Sequence, residues 1–205
     1  MRLFVGLVIS VLLAACAAES PPTLVPTSTP EEPPQVAPTE EQPVEREDPT
    51  LEDADFRLTS SAFQQGEPIP TIHSCDGEDT SPRLTWTNPP AGVQSFALLF
   101  DDPDAPGGTW VHWVLFNLPA EIRSLPANVA SDPELASGGV HGSNSWNSIG
   151  YGGPCPPGGE HRYFFKLYAL DSVLDVEVGA TKEQLLEAME DHIVAEAELM
   201  GTYSR

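Results

Sequence analysis

Residues 17–55 place the strongest limit on what this chain can fold into. The segment carries nine prolines, and its eleven acidic residues face a single base, Arg46. Such a composition buries too little apolar surface to offset the entropy that a chain loses when it becomes ordered. Proline stiffens the segment, and like charges extend it. We therefore expect a solvated spacer here, and we assign one folded domain to residues 56–205.

The N-terminus differs in kind from this spacer. Arg2 precedes an eleven-residue run, Leu3–Leu13, that is apolar apart from one serine. The run is too short to cross a ~30 Å hydrocarbon core as a helix, and it is typical of a signal peptide. The four residues that end at Cys16, Leu-Ala-Ala-Cys, resemble the bacterial lipobox, whose cysteine is lipidated before cleavage. We predict a lipoprotein signal peptide over residues 1–15, followed by the lipidated cysteine and a disordered tether over residues 16–55.

Lipidation would hold the protein on a bacterial membrane outside the cytoplasm, at the cell surface or in the periplasm, because buried acyl chains stabilise attachment. The alternative is an ordinary secretory signal in which Cys16 is present by chance. Once Cys16 is lipidated, Cys75 and Cys155 remain as an even pair in an oxidising compartment. The sequence leaves two interpretations of that pair open, a disulfide or two small buried thiols.

The net charge of −22 excludes one class of partner. Nucleic acids are bound by clustered Lys and Arg, so we expect no nucleic-acid partner. The same charge argues against non-specific adhesion to an anionic membrane surface. Any anion that this protein binds must therefore be held by a local site that acts against the field of the whole molecule.

From Phe56 onward the pattern is that of antiparallel β-structure. Short apolar or alternating segments are separated by loops that are rich in Gly and Pro. The strand candidates are Phe56–Leu58, Leu84–Trp86, Ser95–Phe100, Trp110–Leu118 and Arg162–Leu170. In the last of these, Tyr163, Phe165, Leu167 and Ala169 fall on one face and Lys166 on the other, which predicts a strand.

The C-terminus has the pattern of helices. Thr181 to Gln184 forms a capping box, in which the Thr181 hydroxyl caps the N3 amide and Gln184 reaches back. Apolar residues then recur at helical spacing: they are Leu185, Leu186, Met189, Ile193, Ala197 and Met200. We predict C-terminal helices, with a break near His192 and with Gly201 in the left-handed position that ends the last of them.

Two rigid loops carry the candidate binding and catalytic residues. The first is Asp101–Pro106, followed by His112 at the head of a strand. The second is Gly150–Pro157, followed by His161 and Tyr163. Proline fixes φ in such loops, and glycine lets the backbone approach a ligand closely. If the loops meet, they form a compact polar pocket.

These two blocks resemble the signature motifs of the phosphatidylethanolamine-binding protein family, also called the Raf-kinase-inhibitor-like family. The first block is Asp-Pro-Asp-Ala-Pro at 102–106 with His112-Trp113. The second is Gly-Pro-Cys-Pro-Pro at 153–157 with His161-Arg162-Tyr163. The segment 69–86 and the ending 197–203 are similar to the bacterial branch of that family. The resemblance extends from about Phe56 to the C-terminus.

The resemblance implies a mainly β fold, a large antiparallel sheet packed on a smaller one with helices near the C-terminus. It also implies a site for phosphate, phosphorylethanolamine or a similar head group. The residues carried over by motif position are Asp102, His112, Gly153, Pro156, His161 and Tyr163. The second block is one residue longer than the Gly-Pro-Pro of animal members, so Pro154 or Pro156 fills the matching position.

Amides near Gly153, the Tyr163 hydroxyl and histidine N–H groups would donate to the anion. Asp104 would fix its loop, and the family also leads us to expect a cis peptide before Pro106.

We accordingly interpret the protein as a non-enzymatic binding protein for a small anionic or phosphorylated head group, which modulates a partner that the sequence does not identify. The alternatives are a hydrolase that uses Asp102 with His112 or His161 on a phosphoester or ester, and an inhibitor of a protease or kinase. Asp102, His112 and His161 are residues of a type that binds metals, but the sequence has no short-range metal-binding motif around them. We therefore expect no metal and no cofactor. The sequence leaves open whether the protein forms a homodimer.

Overall fold

The computed structural model describes residues 55–205, so the predictions on the signal peptide, lipidated Cys16 and the tether up to residue 54 lie outside the described residues. The described part is mainly β, with two antiparallel sheets and one α-helix. The predicted fold class, a large antiparallel sheet packed on a smaller one, is confirmed. None of the helices within residues 55–205 is long and apolar enough to cross a membrane.

The smaller sheet has three strands and the larger has five. The smaller runs in the order β1-β2-β5, with β1 at Arg57–Ser60, β2 at Leu84–Thr87 and β5 at Ser124–Leu125. The larger runs in the order β6-β4-β3-β7-β8, with β3 at Ser95–Asp102, β4 at Trp110–Pro119, β6 at Val140–His141, β7 at Glu160–Leu170 and β8 at Ile193–Ser204. A single 3₁₀ turn, Thr71–His73, lies in the long connection between β1 and β2.

Strand β3 lies at the centre of the large sheet and is buried along its whole length. Its even-numbered side chains, Phe96, Leu98 and Phe100, belong to the core between the two sheets, together with Leu58 and Trp86 of the small sheet. Each such side chain contributes roughly 1.5–3 kcal/mol when it leaves water. Successive residues of a strand face opposite sides, so the two faces of β3 belong to different environments.

The opposite face of β3 packs against the only α-helix of the described residues, α1 at Lys182–Met189. Ala97 and Leu99 of β3 share a second buried cluster with Leu185 and Met189 of α1. The predicted capping box is present, since Gln184 N–H donates to the Thr181 hydroxyl and Thr181 N–H donates to the Gln184 side chain. This cap fixes where the helix begins.

The prediction of further C-terminal helices is wrong, because residues 193–204 form strand β8. Ala197, Leu199, Gly201 and Tyr203 are buried in alternation, and β8 pairs with β7 from end to end. The same apolar positions fit a helical and a two-residue period, and pairing with a long neighbouring strand decides between them. Gly201 is therefore no helix cap; a Cβ there would lie 2.6 Å from Ile69 Cγ1.

Candidate functional site

The sheet order brings the two predicted loops to one edge of the large sheet. β3 ends at Asp102, and its antiparallel neighbours β4 and β7 both begin beside that end. In register, Asp101 lies across from Val111 of β4 and from Phe164 of β7. His112 and His161 therefore flank the end of β3, as the proposed pocket requires.

Asp102 and His161 form a buried hydrogen-bonded pair. The Asp102 Oδ2 atom accepts from His161 Nδ1 at 2.8 Å, and Oδ1 accepts from the Asp104 amide at 2.9 Å. Both side chains are less than 10% exposed. Because both carboxylate oxygens already have partners, Asp102 orients His161 and the turn that follows β3. His161 keeps its Nε2 atom for another group.

Asp104 fastens the first loop to β7. Its carboxylate accepts from the Arg162 guanidinium at 2.9 and 2.7 Å and from the Arg162 backbone amide at 2.9 Å. These hydrogen bonds with Arg162 hold the pKa of Asp104 well below its usual value. Asp104 thus has the loop-fixing contacts predicted for it. The peptide before Pro106 is trans, since residues 55–205 contain no cis peptide, and the expectation of a cis bond is wrong.

His112 has a defined tautomer. Its Nδ1 lies 2.8 Å from the carbonyl oxygen of Gly152, which can only accept, so Nδ1 carries the proton. Burial lowers the pKa of His112, and the Gly152 carbonyl and the charges of Asp102 and Asp101 only partly oppose this effect. The ring is accordingly neutral near pH 7, and its Nε2 atom is an acceptor.

Tyr163 lies between the two histidines. Its ring centroid is 5.3 Å from that of His112 and 6.4 Å from that of His161. The side chain is fully buried, and its hydroxyl forms no hydrogen bond of ordinary geometry with a described residue, although the Asp102 carboxylate and the Cys155 backbone lie near it. Burial raises the pKa of Tyr163, so the hydroxyl keeps its proton. An unpaired buried hydroxyl costs about 1–3 kcal/mol, which a hydrogen-bonding ligand would recover.

The Gly153 amide itself has a partner within the protein. Its N–H donates to Asp79 Oδ1 at 2.6 Å and is therefore not free for an anion. A Cβ at Gly153 would collide with the carbonyl oxygen of His73, so close packing on the segment before β2 requires glycine here. Pro156 is buried in the same loop.

A disulfide joins these two segments. Cys75 and Cys155 are bonded, with their Cα atoms 5.5 Å apart. The Cys75 amide also donates to the Pro154 carbonyl at 3.1 Å, and the Tyr151 hydroxyl donates to the His73 carbonyl at 2.6 Å. Loop 150–157 is consequently held on two sides, by the cysteine-bearing segment and by His112.

An open depression of 390 Å³ lies beside the histidine cluster. It is lined by Cys75, Asp79, Asn144, Trp146, Ser148, Tyr151, Gly152, Gly153 and Cys155. Gly153 is the only predicted ligand residue in that lining. The other predicted ligand residues with side chains at the cluster are each less than 10% exposed: Asp102, His112, His161 and Tyr163. The depression is connected to them by two of its lining residues, Gly152 and Trp146, which both contact His112.

Sequence reasoning missed Asp79 as part of this region. The cysteine pair was the one signal for Asp79, since a 75–155 bond places residue 79 near Gly153. No motif in the sequence indicates where the 144–148 loop, which follows His141, lies in the fold. His141 itself is fully buried away from solvent, with Nδ1 2.6 Å from the Asp132 carbonyl, and burial lowers its pKa. Within residues 55–205, no group of three or more His, Cys, Asp or Glu side chains is arranged to hold a metal ion.

Comparison with known proteins identifies the family of this fold and site. The family model described as "Phosphatidylethanolamine-binding protein" matches residues 59–204. A protein of Methanothermobacter thermautotrophicus named "UPF0098 protein" is 51% identical over 150 residues, which are 73% of this chain and 99% of that protein. A protein of the same name from Chlamydia muridarum is 47% identical over 155 residues, 73% of this chain and 99% of that protein.

Two crystal structures are similar to the described domain. One is a putative phosphatidylethanolamine-binding protein homologue, CT736, from Chlamydia trachomatis, with a TM-score of 0.68, 45% identity, and coverage of 73% of this chain and 97% of that one. The other is YbcL of E. coli, described as a member of the mammalian family, with a TM-score of 0.70, 36% identity, and coverage of 74% and 99%. Because these crystallised chains consist almost wholly of the matched region, the domain folds in them without a counterpart of residues 1–54.

Proposed function

Since the chain belongs to the phosphatidylethanolamine-binding protein family, we propose that its domain is a non-enzymatic binding protein for a small phosphate-bearing or similar anionic head group. The binding groups are those of the histidine cluster, which we define as Asp102, His112, His161 and Tyr163. One observation carries the proposal. Two histidine rings lie beside the ring of Tyr163, their Nδ1 atoms bonded to Gly152 and Asp102, and no described residue bonds their Nε2 atoms.

The hydrogen-bond polarity of these atoms defines the ligand. A neutral histidine bonded through Nδ1–H presents Nε2 as an acceptor, and only the imidazolium form donates from Nε2. The Tyr163 hydroxyl donates in either case. The cluster therefore suits a phosphate oxygen that carries a proton, because such an oxygen can donate to an Nε2 atom and accept from the Tyr163 hydroxyl. A net charge of −22 works against anion capture, so this local pairing must supply the affinity.

Calorimetric titration of the 55–205 domain with phosphorylethanolamine tests the proposal. We expect His161→Asn and Tyr163→Phe each to weaken binding about tenfold, the effect of losing one hydrogen bond to a charged group. His192→Asn is the matched control, because His192 is exposed and bonded to Asp171 elsewhere. Binding that survives both cluster substitutions would place the ligand elsewhere and overturn the proposal.

One arrangement favours a second candidate, hydrolysis of a phosphoester or ester. A buried Asp102 that orients His161 is the pairing that a general base needs. Against it, Cys155, the nearest candidate nucleophile by sequence, is tied up in a disulfide. Turnover of a phosphoester such as phenyl phosphate by the domain, lost in His161→Asn and kept in His192→Asn, would support this candidate over simple binding.

We also propose that Cys16 carries the lipid that holds the domain on the outer side of a bacterial membrane. The support is the lipobox-like sequence and the spacer that follows it. Expression of the full chain and of Cys16→Ser with labelled palmitate tests this directly. Label in the wild-type chain only, with the variant released in soluble form, is the expected result; equal behaviour of the two would refute the anchor.

A further inference from the structure

The disulfide between Cys75 and Cys155 lies at the surface of the domain. Both cysteines are exposed, and both line the open depression beside the histidine cluster. A thiol in solution can therefore reach the bond from the depression, which it could not do if the bond were enclosed in the core. Residues 55–205 contain no other cysteine. Thiol chemistry in this part of the chain is consequently confined to one accessible bond.

Arg205 lies beside the sulfur atom of Cys155. Its Nη1 atom is 3.5 Å from Cys155 Sγ, and its Nη2 atom forms an ion pair with Asp76 at 2.7 Å. The Tyr203 hydroxyl donates to the other carboxylate oxygen of Asp76 at 2.9 Å. The backbone of Arg205 also exchanges two hydrogen bonds with that of Gly159. These contacts hold the guanidinium group next to Cys155 Sγ.

The two sulfur atoms therefore differ in how well each can carry a negative charge. A neighbouring guanidinium group favours the thiolate form of a cysteine, and a neighbouring carboxylate disfavours it. Arg205 acts on Cys155, whereas Asp76 follows Cys75 directly in the chain. When a thiolate opens a disulfide, the sulfur that forms the more stable thiolate leaves faster. An incoming thiolate is therefore expected to attack Cys75 and to release Cys155.

We propose that this disulfide is a thiol–disulfide exchange site for a dithiol reductant, with Cys75 as the sulfur that is attacked and Cys155 as the sulfur that leaves. A thiolate of the reductant forms a bond with Cys75 Sγ while the bond between Cys75 and Cys155 breaks. The electron pair of the broken bond stays on Cys155 Sγ, beside Arg205. The second thiol of the reductant then displaces Cys75. The reductant becomes a disulfide, and two electrons and two protons pass to the cysteine pair.

Exchange at this bond also regulates the anion site, an effect that rests on the proposed function. The disulfide and the hydrogen bond from the Cys75 amide to the Pro154 carbonyl both hold loop 150–157 on the segment before β2. The Gly152 carbonyl of that loop fixes the tautomer of His112. Without its covalent support the loop holds that carbonyl less firmly, so fewer rings present Nε2 in the form that binds. The reduced domain accordingly has the lower affinity.

The direction of attack is tested on the oxidised 55–205 domain with glutathione. Reactions are quenched with acid at short times, and the glutathione adduct is located by mass mapping of peptides. We expect the adduct mainly on Cys75. In Arg205→Gln, the preference for Cys75 and the rate of attack should each fall about threefold, the size of effect that an exposed cation has. Arg205→Lys, which keeps the charge, should retain most of both.

Arg57→Gln is the matched control, because Arg57 is also an exposed arginine paired with an aspartate, Asp55, and it does not line the depression. It should change neither the rate nor the position of the adduct. Equal amounts of adduct on the two cysteines, or an adduct mainly on Cys155, would overturn the proposal. A disulfide that glutathione opens only after urea has unfolded the domain would overturn it as well, and so would an Arg205→Gln variant that reacts like the wild type.

The effect on binding is measured by titrating phosphorylethanolamine into the oxidised domain and into the domain reduced with dithiothreitol. The ¹H–¹⁵N spectra show whether the reduced domain is folded, and the affinity is taken from folded signals only. We expect affinity to fall about threefold or more on reduction, because a less rigid site binds more weakly, and to return on reoxidation. Equal affinity of the two folded forms would overturn the regulation. If the oxidised domain does not respond to phosphorylethanolamine, the proposed function fails, and the position of the glutathione adduct still decides the exchange chemistry.

Discussion

Two adjacent aspartates at the end of β3 serve opposite faces of the same sheet. Asp101 and Asp102 are 2% and 3% exposed, so both carboxylates are buried to the same degree. On the helix-covered face, Asp101 accepts from Lys182 Nζ at 2.6 Å, and its Oδ1 atom has no partner among the described residues. On the other face, Asp102 pairs with His161.

The partner, rather than the aspartate, separates a structural pair from a functional one. Lysine has a single nitrogen that can only donate, so Asp101 and Lys182 form an ion pair that fastens the start of α1 to β3. Histidine has a second ring nitrogen, so His161 can bond Asp102 and a ligand at the same time. Burial and residue type alone would not have distinguished the two aspartates.

The largest effect is expected from the disulfide, which supports only the Asp102 side. Cys75 and Cys155 close a loop with a sequence separation of 80 residues, and a cross-link of that span contributes about 4 kcal/mol by restricting the unfolded chain. In Cys75→Ser/Cys155→Ser we expect a loss of that order in urea unfolding. We also expect weaker phosphorylethanolamine binding in the folded fraction, because loop 150–157 loses one of its supports. Unchanged binding would show that the loop is positioned without the bond.

The second prediction concerns Lys182→Met, which leaves Asp101 buried without its cation. Breaking a buried pair costs about 3 kcal/mol or more, so the urea midpoint should fall clearly. Affinity for phosphorylethanolamine should stay within about twofold, since Lys182 contacts the other face. Lys166→Met is the control, because Lys166 lies on the same sheet face and forms no ion pair with a described residue. A large loss of affinity in Lys182→Met would break the contrast between the two aspartates.

The third prediction is a pH dependence of stability that arises on the Asp102 side. Burial lowers the pKa of His112 in the folded protein, so below pH 6.5 the unfolded chain binds more protons than the native state. The contribution of His112 to stability should therefore be complete above that pH and should fall by about 1 kcal/mol between pH 7.5 and pH 5.5. His112→Asn should reduce the measured fall by about that amount, as tested by urea unfolding at the two pH values. Buried His141 adds a similar contribution in both proteins.

The smallest effect is expected from Tyr163→Phe on stability. The hydroxyl has no partner within residues 55–205, so its removal should leave stability unchanged or raise it by up to about 1 kcal/mol. The loss of binding described above should accompany this neutral effect on stability. Thermal unfolding of the two proteins at pH 7.5 measures it, and a marked destabilisation would mean that the hydroxyl has a structural partner.

Much of this arrangement could be predicted from the sequence because it depends on local patterns. Alternation in Arg162–Leu170 gave a strand with Tyr163 facing inward, and the capping box gave the start of α1 at Lys182. The histidine cluster came from the family resemblance rather than from spacing alone. These features are set by residues that lie next to one another in the chain or in a motif.

The structural features that could not be predicted from the sequence depend on contacts between residues that are distant in the chain. Residues 193–204 fit a helical period, and only their pairing with β7 makes them a strand. Amides near Gly153 are expected to donate to an anion, and the one at Gly153 itself donates to Asp79, which is distant in sequence. Trp146 belongs to a loop whose place beside His112 depends on the bonds of Asn144 and Ser145. No local signal in the sequence carries that information.

The central claim is that the Nε2 atoms of His112 and His161 are the ones left for a ligand. Nitrogen spectra of the 55–205 domain with ¹⁵N-labelled histidine, recorded with and without phosphorylethanolamine at pH 7, test it most directly. The account predicts that both rings have protonated Nδ1 before addition, and that the ligand shifts their Nε2 resonances while leaving His73, His141 and His192 unchanged. Nε2 resonances of His112 and His161 that stay in place at saturating ligand would contradict it.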